Sequence, residues 1–151
     1  MPERELVWTL LFACTHNTIR SPMAAELMRL RFGPLVRVDS AGIRPGGEAH
    51  PLSAAIMDEI GGDLSRHRPK ALSWFQENEA GPFDLIVSLS PEAHHHAPAL
   101  VPHSGLAAEY SPTLDPSLAE GRRDRVLEEF RVVRDGLEKR IAARFQRPST
   151  G

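Results

Sequence analysis

The sequence predicts an α/β domain built on a parallel sheet. Near-continuous apolar runs at 6–13 and 83–89 read as strands covered on both faces, since a strand with one wet face alternates polar and apolar instead. Segments of helical period follow the strands in turn, above all Ser21 to Phe32 and Arg122 to Phe145. Strand alternating with helix is the pattern of parallel strands joined by right-handed crossovers. The 151 residues suffice for a single domain (1–151) with a sizeable core, and no repeat, low-complexity tract or linker divides them.

Composition excludes several classes. A net charge of −2 supplies no basic field for nucleic acid, so no nucleic-acid partner is expected. No signal peptide appears, and no apolar run reaches the roughly 18 residues that a membrane span needs. The one cysteine rules out an intramolecular disulfide and suits a reducing cytoplasm. Membrane partners are not expected, and monomer or weak dimer is the expected state.

Leu6 to Ala13 is the first strand, with Trp8 as packing. Phe12-Ala13-Cys14-Thr15-His16-Asn17-Thr18-Ile19-Arg20-Ser21-Pro22-Met23 follows, and beyond it Ala24, Ala25, Leu27, Met28 and Leu30 recur at helical spacing to Phe32. A strand therefore feeds a tight loop that opens a helix, which Ser-Pro is placed to start and Gly33-Pro34 stops. The peptide N–H groups of Thr15, His16, Asn17, Thr18 and Ile19 are expected to converge on a point shared with the positive end of the helix dipole, making an anion site. Cys14 and Arg20 carry a Cys-x5-Arg spacing around it. A thiolate is the attacking form of cysteine, and converging donors favour it. The Arg20 guanidinium offers a planar fork to two oxygens of a phosphoryl group. Ser21 can donate to the sulfur and make it a better leaving group. A buried structural cysteine at a strand end is the plainer alternative, which the bare spacing does not exclude; strand before and helix after favour the site.

Leu35 to Asp39 reads as the second strand, with Ser40-Ala41-Gly42 turning out of it. Pro45-Gly46-Gly47 is a loop. Ser53 to Ile60 reads as a short helix with Ala54, Ile56, Met57 and Ile60 inward, closed by Gly61-Gly62. Ala71 to Gln76 is a further helical piece. Phe83 to Leu89 is the third strand and Leu106 to Tyr110 a weaker fourth. His94-His95-His96 invites a metal reading, but consecutive helical residues point about 100° apart and cannot chelate one ion, so a solvated face is expected and no metal. Ser111 to Pro116 is a loop before the last helix. Asp115 there is either a turn-initiating residue or an acid able to protonate a leaving oxygen, and the residues leave both open. Asp39 and Asp84, at strand positions, are weaker candidates. In the final helix Val126, Phe130, Val133, Leu137 and Ile141 form the inward stripe, with Arg123, Arg125, Glu128, Arg131 and Arg134 largely outside it.

The loop resembles the signature of the low-molecular-weight protein tyrosine phosphatases, Cys-x-x-Asn-x-x-Arg-Ser-Pro-Met-Ala-Glu. The resemblance continues in order through Val38-Asp39-Ser40-Ala41-Gly42, Leu64-Ser65-Arg66-His67-Arg68, Phe83-Asp84-Leu85-Ile86-Val87 and Asp115-Pro116. It implies a four-stranded parallel sheet with helices on both faces, and a phosphomonoesterase acting through a phosphocysteine without a cofactor. It makes Cys14 the nucleophile, Arg20 the phosphoryl clamp and Asp115 the general acid, with Ser40, Asn17 and His67 in one supporting network that holds Asn17 in a left-handed state. The implied partner is a phosphorylated protein or small phosphoester.

The chain departs from that pattern in places. His16 stands where the family commonly has glycine, and Ile19 where some members have a second cysteine. Ile43-Arg44-Pro45 and Ser117-Leu118 stand where the aromatic residues of a phosphotyrosine slot are common, so phosphotyrosine itself is open as substrate. Two other readings compete. One is an arsenate reductase of the same fold, for which the lone Cys14 requires an external thiol. The other is a non-catalytic phosphate-binding regulator, against which Cys14, Arg20 and Asp115 argue together, because anion binding needs neither thiol nor acid.

Overall fold

A computed structural model describes residues 8–79, 81–99 and 107–146. Strand β1 (Trp8–Cys14) lies between β2 (Val36–Gly42) and β3 (Leu85–Ser88), and β4 (Ala107–Tyr110) completes the sheet beside β3. All three pairings are parallel, in the order β2-β1-β3-β4. The helices are α1 (Arg20–Phe32), α2 (Pro51–Asp58), α3 (Leu72–Glu77), α4 (Pro91–His96) and α5 (Arg123–Arg144). Leu6, Val7 and Leu106, expected in the first and fourth strands, lie outside the described residues.

The two-residue period of β1 divides its side chains between two cores. Leu10, Phe12 and Cys14 join Met23, Met28, Ile56, Phe130 and Leu137 from α1, α2 and α5. Leu11 and Ala13 join Leu72, Phe75, Ala93 and Ala97 on the opposite face, where α3 and α4 lie. Helices on both faces explain why the strand is apolar but for Thr9. Each fully buried Leu, Phe or Met here contributes about 1.5–3 kcal/mol.

Strand β2 runs farther than the sequence suggests. Ser40, Ala41 and Gly42 do not turn away but stay in register with Phe12, Ala13 and Cys14. Their small size reads as a turn, whereas at Gly42 the reason for it is crowding: a Cβ there would stand 2.9 Å from the Asn17 backbone nitrogen. Helix α2 likewise starts earlier, at Pro51, because the His50 imidazole Nδ1 accepts the Leu52 N–H at 3.1 Å and caps it. It ends at Asp58, so Ile60 falls beyond it and is exposed, and the buried position goes to Ser53 instead. Ala54 is half-buried.

His94, His95 and His96 occupy the last turn of α4 and are exposed, with the His94 ring stacked on Tyr110 at 4.2 Å. No group of three or more metal-capable side chains occurs among the described residues. No helix of the described residues is long and apolar enough to cross a membrane.

In α5 the stripe of Phe130, Leu137 and Ile141 is buried, with Val126 and Val133 half-buried beside it. Arg134 is the correction: it is buried, not outside the stripe. Its Nη1 donates to the Ile56 carbonyl at 2.7 Å and to Glu59 Oε1 at 2.8 Å. The last carbonyls of α2 have no intrahelical partner, and a cation supplies one while complementing the helix dipole. Hydrogen bonds from Arg131, then Arg134, hold the Glu59 carboxyl down at about 2. Replacing Arg134 with Ala is expected to lower the unfolding free energy by about 1.5–3 kcal/mol, as loss of a charge-assisted bond from a buried site does. Urea denaturation of the two proteins checks it.

Candidate active site

Five residues, Thr15 to Ile19, connect the end of β1 to the start of α1. Asn17 makes the sharp bend, with φ at 56°. Asparagine tolerates this left-handed region better than most side chains. The bend aims the Asn17 N–H at Cys14 Sγ, 3.3 Å away.

Asn17 is fully buried, and its polar groups are met on every side. Its Nδ2 donates to Ser21 Oγ at 2.7 Å and to Ser40 Oγ at 2.9 Å. Its Oδ1 accepts the Lys70 N–H at 3.0 Å, and its carbonyl lies 2.7 Å from His67 Nε2. A carbonyl only accepts, so His67 is the donor. Burial holds the His67 pKa below its usual 6.5, against the opposing pull of the Asn17 carbonyl. Ser40, His67 and Lys70 thus each bond to Asn17.

Ser21 Oγ lies 2.9 Å from Cys14 Sγ. Because that oxygen already accepts from Asn17, its hydrogen is available to the sulfur; the other acceptor, the Ala41 carbonyl, is farther at 3.4 Å. Arg20 is the first residue of α1 and is buried. Its Nη1 donates to the Thr113 carbonyl at 3.0 Å, and its Nη2 stands 4.0 Å from Asp115 Oδ2. Asp115 Oδ1 accepts from Ser117 N–H at 2.9 Å and Ser117 Oγ–H at 2.6 Å, capping the 3-10 turn Pro116–Leu118. Its two oxygens therefore differ: one caps a turn and the other faces Arg20.

Cys14, Arg20 and Asp115 meet around a cavity of about 90 Å³. That is a few times a water's share of liquid volume, about 30 Å³, and suits a tetrahedral oxyanion. Thr18, Ile19, His16, His50 and Ser117 complete its walls, which among the described residues hold no Phe, Tyr or Trp. His16 is exposed at the mouth, and its Nδ1 bonds the Arg44 carbonyl at 3.1 Å. Thr15 donates from Oγ1 to Ser90 Oγ at 3.0 Å. The Thr18 carbonyl ties the loop to α2, accepting from His50 N–H at 3.0 Å and Ser53 Oγ–H at 3.1 Å.

Several of these residues escape sequence reasoning. Ser117 was within reach, because Asp-Pro-Ser is a turn pattern in which the Asp side chain accepts two residues on. His50 had a weaker signal, its place before a helix-starting proline. Thr113, Ser90 and Lys70 had none, since each meets the loop from more than fifty residues away.

A family model described as low molecular weight phosphotyrosine protein phosphatase matches residues 9–147. An arsenate reductase of Bacillus subtilis is 32% identical over 130 residues, which is 86% of this chain and 89% of the relative. A low molecular weight protein-tyrosine-phosphatase of Streptomyces coelicolor is 31% identical over 144 residues, 89% of this chain and 85% of the relative. A solved arsenate reductase in the phosphate binding state superposes with a TM-score of 0.73 at 25% identity, covering 91% of this chain and 95% of that one.

The lowered His67 pKa makes a pH prediction. As pH falls below 6.5 the unfolded chain takes up the His67 proton before the folded one does, so stability declines with acidification and the decline levels off beneath the folded value. Unfolding free energies measured from about pH 8 to 5 are expected to fall less steeply for His67→Gln than for the native protein. Parallel curves would remove His67 as the titrating group.

Proposed function

Because the chain belongs to the low molecular weight phosphotyrosine protein phosphatase family, a family of cysteine-based hydrolases, we propose that it hydrolyses phosphoric monoesters through a phosphocysteine intermediate. The observation that carries the reading is the meeting of Cys14, Arg20 and Asp115 around one oxyanion-sized cavity. In the first step the Cys14 thiolate attacks phosphorus, the S–P bond forms, and the ester P–O bond breaks. Asp115 gives its proton to the departing oxygen, from the Oδ2 that the Ser117 cap leaves unengaged. In the second step water attacks phosphorus, its proton passes to the Asp115 carboxylate, and sulfur leaves as thiolate with the Ser21 hydroxyl donating to it. Arg20 and the loop N–H groups grip the phosphoryl oxygens throughout, where charge-assisted bonds are strongest.

With no Phe, Tyr or Trp in the walls among the described residues, recognition falls on the phosphoryl group and its immediate surroundings. We take the substrate as a phosphorylated protein or a small phosphoester, with tyrosine one member of the class. The protein works in the cytoplasm, where its single thiol stays reduced, as a monomer or weak dimer and without nucleic acid.

The arsenate reductase relatives favour a second reading. Two-electron reduction of arsenate forms one disulfide, and Cys14 supplies only one of its sulfurs, so an external thiol must supply the other.

Turnover of aryl phosphates and of arsenate with added small thiol separates the two readings. Hydrolysis is expected with aryl phosphates and is expected to vanish in Cys14→Ser; undiminished hydrolysis in that variant refutes the nucleophile. Asp115→Asn is expected to slow phenyl phosphate by about a hundredfold or more, and dinitrophenyl phosphate far less, because a good leaving group needs no proton. Equal slowing excludes Asp115 as the acid.

A further inference from the structure

Helix α5 sends a cation into the loop that carries Asp115, and the reaction above gives it no role. Arg140 is half-buried. Its Nη1 donates to Ser111 Oγ at 2.6 Å, to the Pro112 carbonyl at 3.0 Å and to the Ser111 carbonyl at 3.3 Å. Its Nη2 donates to Thr113 Oγ1 at 3.0 Å, and its Nε reaches the Gly136 carbonyl of its own helix at 3.4 Å. Burial pulls its pKa down with no carboxylate opposing the shift. A cation withdrawn from water without a counter-charge is costly unless its donors are met elsewhere. Here all but one of its bonds end on three consecutive residues, 111–113.

The same segment is held from other sides. Ser111 N–H and Thr113 N–H donate to the Ser88 and Leu89 carbonyls at 2.8 Å and 2.9 Å, extending the pairing beyond β4. The Thr113 carbonyl accepts from Arg20, so guanidiniums from α1 and α5 hold one residue by its carbonyl and by its hydroxyl. The tether stops there: Leu114 is 84% exposed, and Asp115 comes next.

We propose that Arg140 is a positioning residue that, by anchoring residues 111–113, sets where Asp115 stands against the cavity. The inference rests on Asp115 being the acid. It follows that loss of Arg140 damages proton delivery and spares phosphoryl binding, because the Thr113 N–H bond to Leu89 still holds the peptide carbonyl that Arg20 binds. Charge alone does not suffice, because lysine lacks the planar fork that spans Ser111, Pro112 and Thr113.

The test compares Arg140→Met, Arg140→Lys and Asp115→Asn on phenyl phosphate and 2,4-dinitrophenyl phosphate, with inhibition by inorganic phosphate as the binding readout. Arg140→Met is expected to slow phenyl phosphate by about tenfold or more and dinitrophenyl phosphate by less than about threefold, with phosphate inhibition unchanged. Arg140→Lys is expected to show the same split, only milder. Added to Asp115→Asn, Arg140→Met is expected to cost nothing more, since both act through one proton. Equal slowing of both substrates, no slowing, or a full further loss in the double variant overturns the inference. If Arg140→Met does not fold, Thr113→Val, which removes the hydroxyl that accepts from Arg140 and donates to the Ser111 carbonyl, decides by the same split. A split in Asp115→Asn without one in Arg140→Met sinks this inference alone; no split in Asp115→Asn sinks the acid reading and this inference with it.

Discussion

The candidate site depends on one backbone conformation, the left-handed bend at Asn17. That bend turns an amide N–H toward Cys14 Sγ within the few residues that separate β1 from α1. A non-glycine residue in this region costs on the order of 1 kcal/mol. The cost is met by a buried amide whose bonds reach Ser21, Ser40 and Lys70, each worth about 1 kcal/mol net, with His67 closing the set at the carbonyl. The conformation is therefore held by a network that spans α1, β2 and the segment after α2. Gly42 belongs to the same constraint, since any side chain there would press on the Asn17 backbone.

The network also sets hydrogen-bond polarity. Ser21 Oγ accepts from Asn17, and the nearest acceptor for its own hydrogen is the Cys14 sulfur, ahead of the Ala41 carbonyl. Because Ser117 donates twice to one oxygen of Asp115, the other oxygen is the one turned toward Arg20. Arg20 connects the two halves: it begins the helix that follows the cysteine loop and binds the segment that leads to Asp115. The proposed chemistry uses these polarities as they stand.

Much of this was legible in the residues. The apolar runs of β1 and β3 report two-sided burial, and α1 and α5 show helical period, so the α/β class follows from local pattern. Cys14 and Arg20 flank one loop, and a separation of six residues across a strand-to-helix turn leaves them few ways to lie apart. Legibility failed where size or charge was taken for environment. Ser40-Ala41-Gly42 has the composition of a turn but continues the strand, and Gly42 lacks a side chain where the Asn17 backbone crosses it. Arg134 reads as solvent-facing but lies buried under the end of α2, where the carbonyl of Ile56 needs a donor.

What the sequence determined by itself is the kind of fold and the neighbourhood of the cysteine, because hydrophobic period and short loops act over a few residues. The tertiary structure alone decided that Asp115 comes within 4.0 Å of Arg20, that His50 enters the cavity wall, and that Thr113 lies under two guanidiniums. Such meetings join segments far apart in the chain. They are set by how helices pack on a twisted sheet, and that packing leaves no periodic mark on the residues it brings together.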